Sequence, residues 1–241
     1  MARSLNDGTG NAVLDSVPTH ERRRVERLLR PVTLEFGATL QVAGGTTQSV
    51  WFPTSGMISI VTTMSDGAIV ETGVVGKESF AGVEAFLGAE SAFLSSIVQQ
   101  PGSALVMNAT AFRAESERAP ALRQAALRGT MLFLRQVTQT AACNARHPVD
   151  QRCARWLLMT RDRAGSDSFP MTQEFLAMML GARRAGVSAA AAALRKAGVI
   201  RYRRGRVDIL NAAALEHASC ECYAAILRPV PQPKRSARAK K

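Results

Sequence analysis

The chain has 241 residues, 46% apolar and 21% charged, with a formal net charge of +12. That composition excludes a disordered or collagen-like chain and suffices for a sizeable core in one large domain or two ordinary ones. The charge is uneven: residues 1–120 hold 9 basic and 12 acidic side chains against 22 and 7 in residues 121–241, which marks the second half as a binder of nucleic acid or an anionic surface.

The start, MARSLNDGTG, lacks the apolar stretch of a secretory signal, so a cytoplasmic address is the expectation. From Ser16-Val17-Pro18-Thr19 a short helix carries Val25, Leu28 and Leu29 among arginines and ends at Pro31. Between Thr33 and Met107 the texture changes to short Val, Ile, Thr and Phe segments with Gly or Pro every eight to twelve residues. The predicted strands are Leu34 to Leu40, Val50 to Phe52, Met57 to Thr63, Ile69 to Val75, Phe93 to Gln99 and Ser103 to Asn108, with Asp66-Gly67 as a hairpin signal. This is the pattern of a small antiparallel β sandwich or barrel. The uncharged runs Phe36 to Ser65 and Ser91 to Phe112 are broken by Gly, Pro, Gln, Thr and Asn, so no membrane span is expected.

From Pro120 onward Leu122, Ala126, Gly129, Phe133, Gln136, Thr140 and Cys143 recur at three- and four-residue steps, predicting a long helix that stops before Pro148. Its apolar residues surround most of its circumference, enough for one face on the β domain and another on a second copy. We assign dimerisation to Leu122, Ala126, Gly129, Phe133, Gln136 and Thr140. A further helix spans Val149 to Arg163, followed by a loop over 164–168.

Thr172 to Ile209 is the most informative stretch. Thr172 caps a helix over Gln173 to Leu180, Gly181 breaks it, and Ala182 to Lys196 forms a second helix ended by Gly198. Small Ala177, turn-forming Gly181 and corner-filling Val187 suit a helix-turn-helix, with an ordinary αα-hairpin as the plainer alternative. Arg183 and Arg184 stand at the head of the second helix, where a recognition helix meets base edges, and arginine reads guanine bidentately. The alternating run after it turns at Gly205 and sets Arg201, Arg203, Arg204 and Arg206 in a basic hairpin suited to phosphates. This order of parts is that of a winged helix.

With these segments the chain resembles the Crp/Fnr family of transcription regulators, over almost its whole length. The resemblance is carried by Val50-Trp51-Phe52-Pro53, Gly56-Met57-Ile58-Ser59, Asp66-Gly67, Glu71 to Glu78, Cys143-Asn144 with His147, Arg155 to Met159, Thr172 to Gly181 and Cys220-Glu221-Cys222-Tyr223. It implies an α+β chain in four parts: a β-roll sensor like a cyclic-nucleotide-binding domain (1–119), a dimerisation helix (120–147), a winged helix-turn-helix (148–228) and a disordered basic tail (229–241). Implied partners are palindromic double-stranded DNA, a second copy of the chain and RNA polymerase.

Family members that bind cyclic nucleotides use a Gly-Glu pair for the ribose and an Arg before Ser or Thr for the phosphate. Here Val83 stands at the glutamate position, Glu84 lies one position on, and no arginine occurs between Lys77 and Arg113. A cyclic phosphate buried without a cation is costly, so cyclic AMP is not the expected effector and no ligand-binding residue is assigned. Ala185 and Gly186 replace residues commonly Pro and Ser in close relatives.

The four cysteines do not make a disulfide framework. Cys143 and His147 share a helix face and Cys220 and Cys222 are two apart, but the C-x-C pair lacks the paired C-x-x-C knuckles of a structural zinc site. They are read as buried small side chains, with a metal or thiol switch as the alternative; no metal and no cofactor are expected. His20, His147 and His217 are scattered with no catalytic spacing, and residues 33–110 contain no histidine, so no enzyme is expected. The functional expectation is a homodimeric DNA-binding regulator with Thr172, Gln173, Arg183, Arg184, Ser188, Arg201, Arg203, Arg204 and Arg206 at the DNA. The rival is a ligand- or redox-sensing β-roll protein whose main output is not DNA binding.

Overall fold

A computed structural model describes residues 8–228; the predicted tail over 229–241 lies outside the described residues. The N-terminal segment is two helices rather than one, α1 (Ala12–Asp15) and α2 (Thr19–Glu26). The buried Asn11 side chain caps α1 and donates to the carbonyls of Pro53 and Ser79, tying the segment to the β domain. Pro31 does not end a helix; it lies in the first strand.

Seven strands follow: β1 (Arg30–Leu34), β2 (Thr39–Gln41), β3 (Ser49–Pro53), β4 (Met57–Thr63), β5 (Ile69–Val75), β6 (Ser95–Gln100) and β7 (Gly102–Asn108). A short helix α3 (Val83–Leu87) interrupts them between β5 and β6. All pairing is antiparallel, in sheets ordered β1-β7-β3 and β2-β6-β4-β5. The expected strand over 34–40 is broken by a turn at Gly37, so its two ends join different sheets. At Asp66-Gly67 the chain turns, with Gly67 at a positive φ and the Asp66 carboxylate accepting from the Ala68 N–H.

Strand β4 is buried along its first five residues, on both faces. Ile58 and Ile60, with Val75 and Val98 of the same sheet, share a core with Leu34 and Ala104 of the other, whereas Met57 and Val61 join a second core with the C-terminal half. A third core groups Phe52, Phe80 and Phe112, whose rings lie 5.7–5.8 Å apart.

Helix α4 (Ala109–Arg118), capped by Asn108, leads into α5 (Pro120–Arg146), which starts with proline in its first turn and stops where His147 turns extended before Pro148. Within the single chain, the residues expected at the dimer contact lie on the inward side of α5. Leu122, Ala126, Gly129, Gln136 and Thr140 are buried against their own chain, and Phe133 packs its ring on Gly73 of β5. The stripe left exposed is Leu127, Met131 and Leu134, at four- and three-residue steps on the opposite side. Periodicity finds the apolar residues but not which side the β domain claims, and the β domain takes the side richer in small residues.

Helix α6 (Val149–Ala164) is buried over nine consecutive residues, Arg152 to Thr160. The remaining elements are β8 (Ser168–Pro170), α7 (Gln173–Leu180), α8 (Arg184–Lys196), β9 (Ile200–Arg203), β10 (Arg206–Ile209), α9 (Ala212–Ala218) and α10 (Cys222–Leu227). Among the described residues no helix is long and apolar enough to cross a membrane.

Candidate nucleic-acid interface

Thr172 adopts an extended conformation and its Oγ1 accepts the Phe175 N–H at 3.0 Å, a cap that contributes about 1 kcal/mol to α7. Gly181 ends α7 in the left-handed region, at φ 55. The turn is longer than the sequence suggests, because Ala182 and Arg183 belong to it and α8 begins at Arg184. Val187 is fully buried at the crossing, in one core with Ala177, Leu180, Ala190 and Leu194.

The expected contact residues fall into two groups. Ser188 donates to Gln173 Oε1 at 2.8 Å, so these two are bonded to each other across the helix pair by a contact that does not use the Gln173 amide hydrogens. Arg183 and Arg184 are exposed at the head of α8 and make no ion pair among the described residues. Their charges are thus uncommitted, at a helix start that carries no acidic residue in its first turn.

The wing has three strands, not two: β10 pairs with β9 and also with β8, whose first residue falls in the expected loop over 164–168 and whose other two carry no predicted element. Three residues with a single buried aromatic, Phe169, are too short a run to show a strand period. Arg204 (φ 46) and Gly205 (φ 74) form the tip, and two successive positive φ values suit a tight hairpin. The Tyr202 hydroxyl donates to the Met171 carbonyl and fastens the wing beside the cap of α7.

Not all four wing arginines are equally available. Arg201 Nε donates to Asp208 Oδ2 at 2.9 Å, and Arg206 Nη2 donates to Ser168 Oγ at 3.2 Å. Asp208 is held below the usual carboxylate range by its hydrogen bonds with Ser168 and Arg201. Arg201 and Arg206 therefore also brace the wing. Arg203 and Arg204 are exposed at the tip with no ion pair among the described residues.

In the β domain, the stretch from Phe80 to Glu84 and Leu94 lines a cavity of only about 10 Å³, closed by Phe133 from α5. Glu84 is buried, and its Oε1 accepts from Gln41 Nε2 at 3.0 Å and from the Leu94 N–H at 3.3 Å. Burial pushes its pKa up, while backbone hydrogen bonds at Glu84 and Leu94 and the Gln41 amide pull it down. Glu84 is thereby spent on its own fold.

Two family models match the chain: the cyclic nucleotide-binding domain over residues 31–118 and the Crp-like helix-turn-helix domain over residues 151–218. A Crp-family transcriptional regulator from Thermus thermophilus superposes with a TM-score of 0.67 at 22% identity, over 78% of this chain and 96% of that one. FixK2 from Bradyrhizobium japonicum gives 0.68 at 15% identity, over 80% and 98%. The c-di-GMP responsive global regulator CLP of Xanthomonas campestris gives 0.66 at 16%, over 80% and 99%. At these identities the solved structures speak for the fold. Among curated protein sequences none matches this chain.

Proposed function

Since the chain belongs to the Crp/Fnr family, joining a cyclic nucleotide-binding domain to a Crp-like helix-turn-helix, we propose that it is a transcription regulator that binds a palindromic DNA site as a homodimer. The observation that carries this reading is the pair of uncommitted arginines at the head of α8 beside a wing whose tip carries two more. Arg183 and Arg184 read base edges, while Arg203 and Arg204 hold phosphates. Thr172 and Gln173 present the start of α7 to the backbone, and Ser188 positions the Gln173 amide.

The exposed stripe Leu127, Met131 and Leu134 is the dimer contact, placing two recognition helices on half-sites about one helical turn, roughly 10 bp, or a multiple apart. RNA polymerase is the further partner of a promoter-bound dimer. We infer an effector other than cyclic AMP: the cavity beside Gly82 to Glu84 is about 10 Å³, against roughly 300 Å³ for a bound small molecule, and no arginine lies between Lys77 and Arg113.

Selection of bound duplexes from a random pool supplies the site, and gel-shift titration then separates the roles. Arg184→Ala costs about 1–3 kcal/mol on the selected site and relaxes one base position, whereas Arg204→Ala weakens selected and random duplexes alike and flattens the salt dependence. Equal losses on both duplexes for Arg184→Ala overturn its base-reading role. Failure of the native protein to select any motif overturns the function.

A further inference from the structure

Three cysteines and a histidine, remote in sequence, meet where α5 ends and α10 begins. The Sγ atoms of Cys143, Cys220 and Cys222 and a ring nitrogen of His147 all lie within 4.8 Å of one another. Cys143 lies in the last turn of α5 and His147 is the extended residue that caps it. Cys220 and Cys222 flank the turn that opens α10, and Arg135 of α5 holds that helix by donating to the carbonyls of Ala225 and Arg228.

The spacings match a particular geometry. Tetrahedral zinc places sulfur at about 2.3 Å and nitrogen at about 2.0–2.1 Å, so neighbouring ligands stand roughly 3.8 Å apart for two sulfurs and roughly 3.6 Å for sulfur and nitrogen. Cys143 Sγ and Cys220 Sγ are 3.5 Å apart, and Cys222 Sγ lies 3.6 Å from His147 Nδ1. An iron-sulfur cluster distributes its ligands over several irons and needs them further apart than one ion does.

The surroundings are those of a metal site. His147 turns Nδ1 toward the sulfurs and Nε2 toward Glu221 Oε2 at 3.2 Å, the carboxylate–histidine arrangement that fixes a ligand's tautomer. Gln139 Nε2 points at Cys222 Sγ from 3.0 Å, a donor suited to a thiolate. Arg152 and Arg155 are buried, bear electrostatically on Cys143, and make no ion pair among the described residues; the Nε–H of each lacks a hydrogen-bond partner there. Three thiolates and a neutral imidazole around a divalent ion carry one net negative charge, which those guanidiniums offset. A groove lined by Glu216, His217, Ser219, Cys220 and Glu221 opens onto the site from solvent.

We propose that Cys143, His147, Cys220 and Cys222 bind a single divalent metal ion of the zinc class, with all four coordination positions filled by the protein. Binding exchanges up to three thiol protons for the ion, without oxidation. With no open position the ion has a structural role. It staples the last turn of α5 to the far end of the winged-helix half, across the break at His147-Pro148, and so holds the orientation of one against the other.

Elemental analysis of full-length protein purified under reducing conditions, then stripped and titrated with Zn²⁺ or Co²⁺ alone, tests this. The expected result is one ion per chain, with release of up to three protons and the intense visible bands of tetrahedral cobalt thiolate. Cys220→Ser with Cys222→Ser abolishes binding. Glu221→Gln, which leaves every ligand in place, weakens Zn²⁺ in chelator competition by about 10–100-fold. Less than a tenth of an equivalent taken up by the native chain overturns the proposal, as does iron-sulfur absorption or a Cys143–Cys220 disulfide surviving reductant. Uptake unchanged in Cys220→Ser/Cys222→Ser overturns it too. The native-chain titration decides the matter even where the double variant fails to fold.

Discussion

Replacing Glu71 by glutamine removes a pH dependence that the structure builds into the joint between the β domain and α6. Glu71 is fully enclosed: Oε2 lies 2.6 Å from Ser59 Oγ and Oε1 accepts from Trp156 Nε1 at 2.8 Å. Ser59 Oγ also contacts Gln99 Oε1, so its one hydrogen faces two acceptors when Glu71 is ionised. A protonated Glu71 resolves this by donating to Ser59, which then donates to Gln99. Burial is the largest influence and pushes the pKa up to about 7, against the lowering effects of Ser59, Trp156, Arg155 and Arg163. The folded chain thus holds this proton more tightly than the unfolded one, where the pKa is 4.5. The stabilisation is complete below pH 4.5, is lost as pH rises toward 7, and is flat beyond; the difference amounts to roughly 3 kcal/mol. A glutamine side chain at this position makes both hydrogen bonds at every pH. Urea unfolding of both proteins from pH 4 to 8 therefore shows near-equal stability at pH 4 and a widening advantage for Glu71→Gln up to pH 7. A pH-independent difference, or a variant weaker throughout, refutes the reasoning.

Two further variants probe the fold. Met131→Glu with Leu134→Glu leaves helicity unchanged, because both side chains are about half exposed on α5, yet converts dimer to monomer by light scattering; a dimer that survives places the contact elsewhere. Gly181→Val forces a β-branched residue into the left-handed region at a cost of about 1–2 kcal/mol and directs its Cβ to within 2.9 Å of Val70 Cγ1, so the urea midpoint falls; an unchanged midpoint refutes the strained turn.

The strands from β3 to β7 were legible because each is bounded by turn residues and alternates or runs apolar, and α5 because its small and apolar residues keep a helical step for 27 residues. What escaped had no period to display. β8 is three residues long, and its pairing with β10 spans some forty residues of chain. On α5 both sides are apolar, and only the docked β domain decides that Gly129 and Gln136 face inward while Met131 faces out. The wing arginines are equivalent as a charge run and become unequal only when Asp208 and Ser168 come into register beside two of them. The metal-ligand spacing was hidden for the same reason: Cys143 and Cys220 are 77 residues apart, and neither local pair alone has the pattern of a zinc knuckle.

Helix α6 explains why the polar residues of this chain matter more than their number suggests. Nine consecutive buried residues leave it no solvent face from Arg152 to Thr160, so every polar group there must be matched inside the protein. Toward the β domain, Trp156 and Thr160 meet Glu71 and Gln99, and that contact is neutral when Glu71 carries its proton. Toward α5 and α10, Arg152 and Arg155 bear electrostatically on the cysteine site, where burial pushes the Cys143 thiol up and Arg155 opposes that. Arg155 bears on both, acting through its charge on Glu71 and on Cys143. Among the described residues Arg155 is thus the one charge common to both joints.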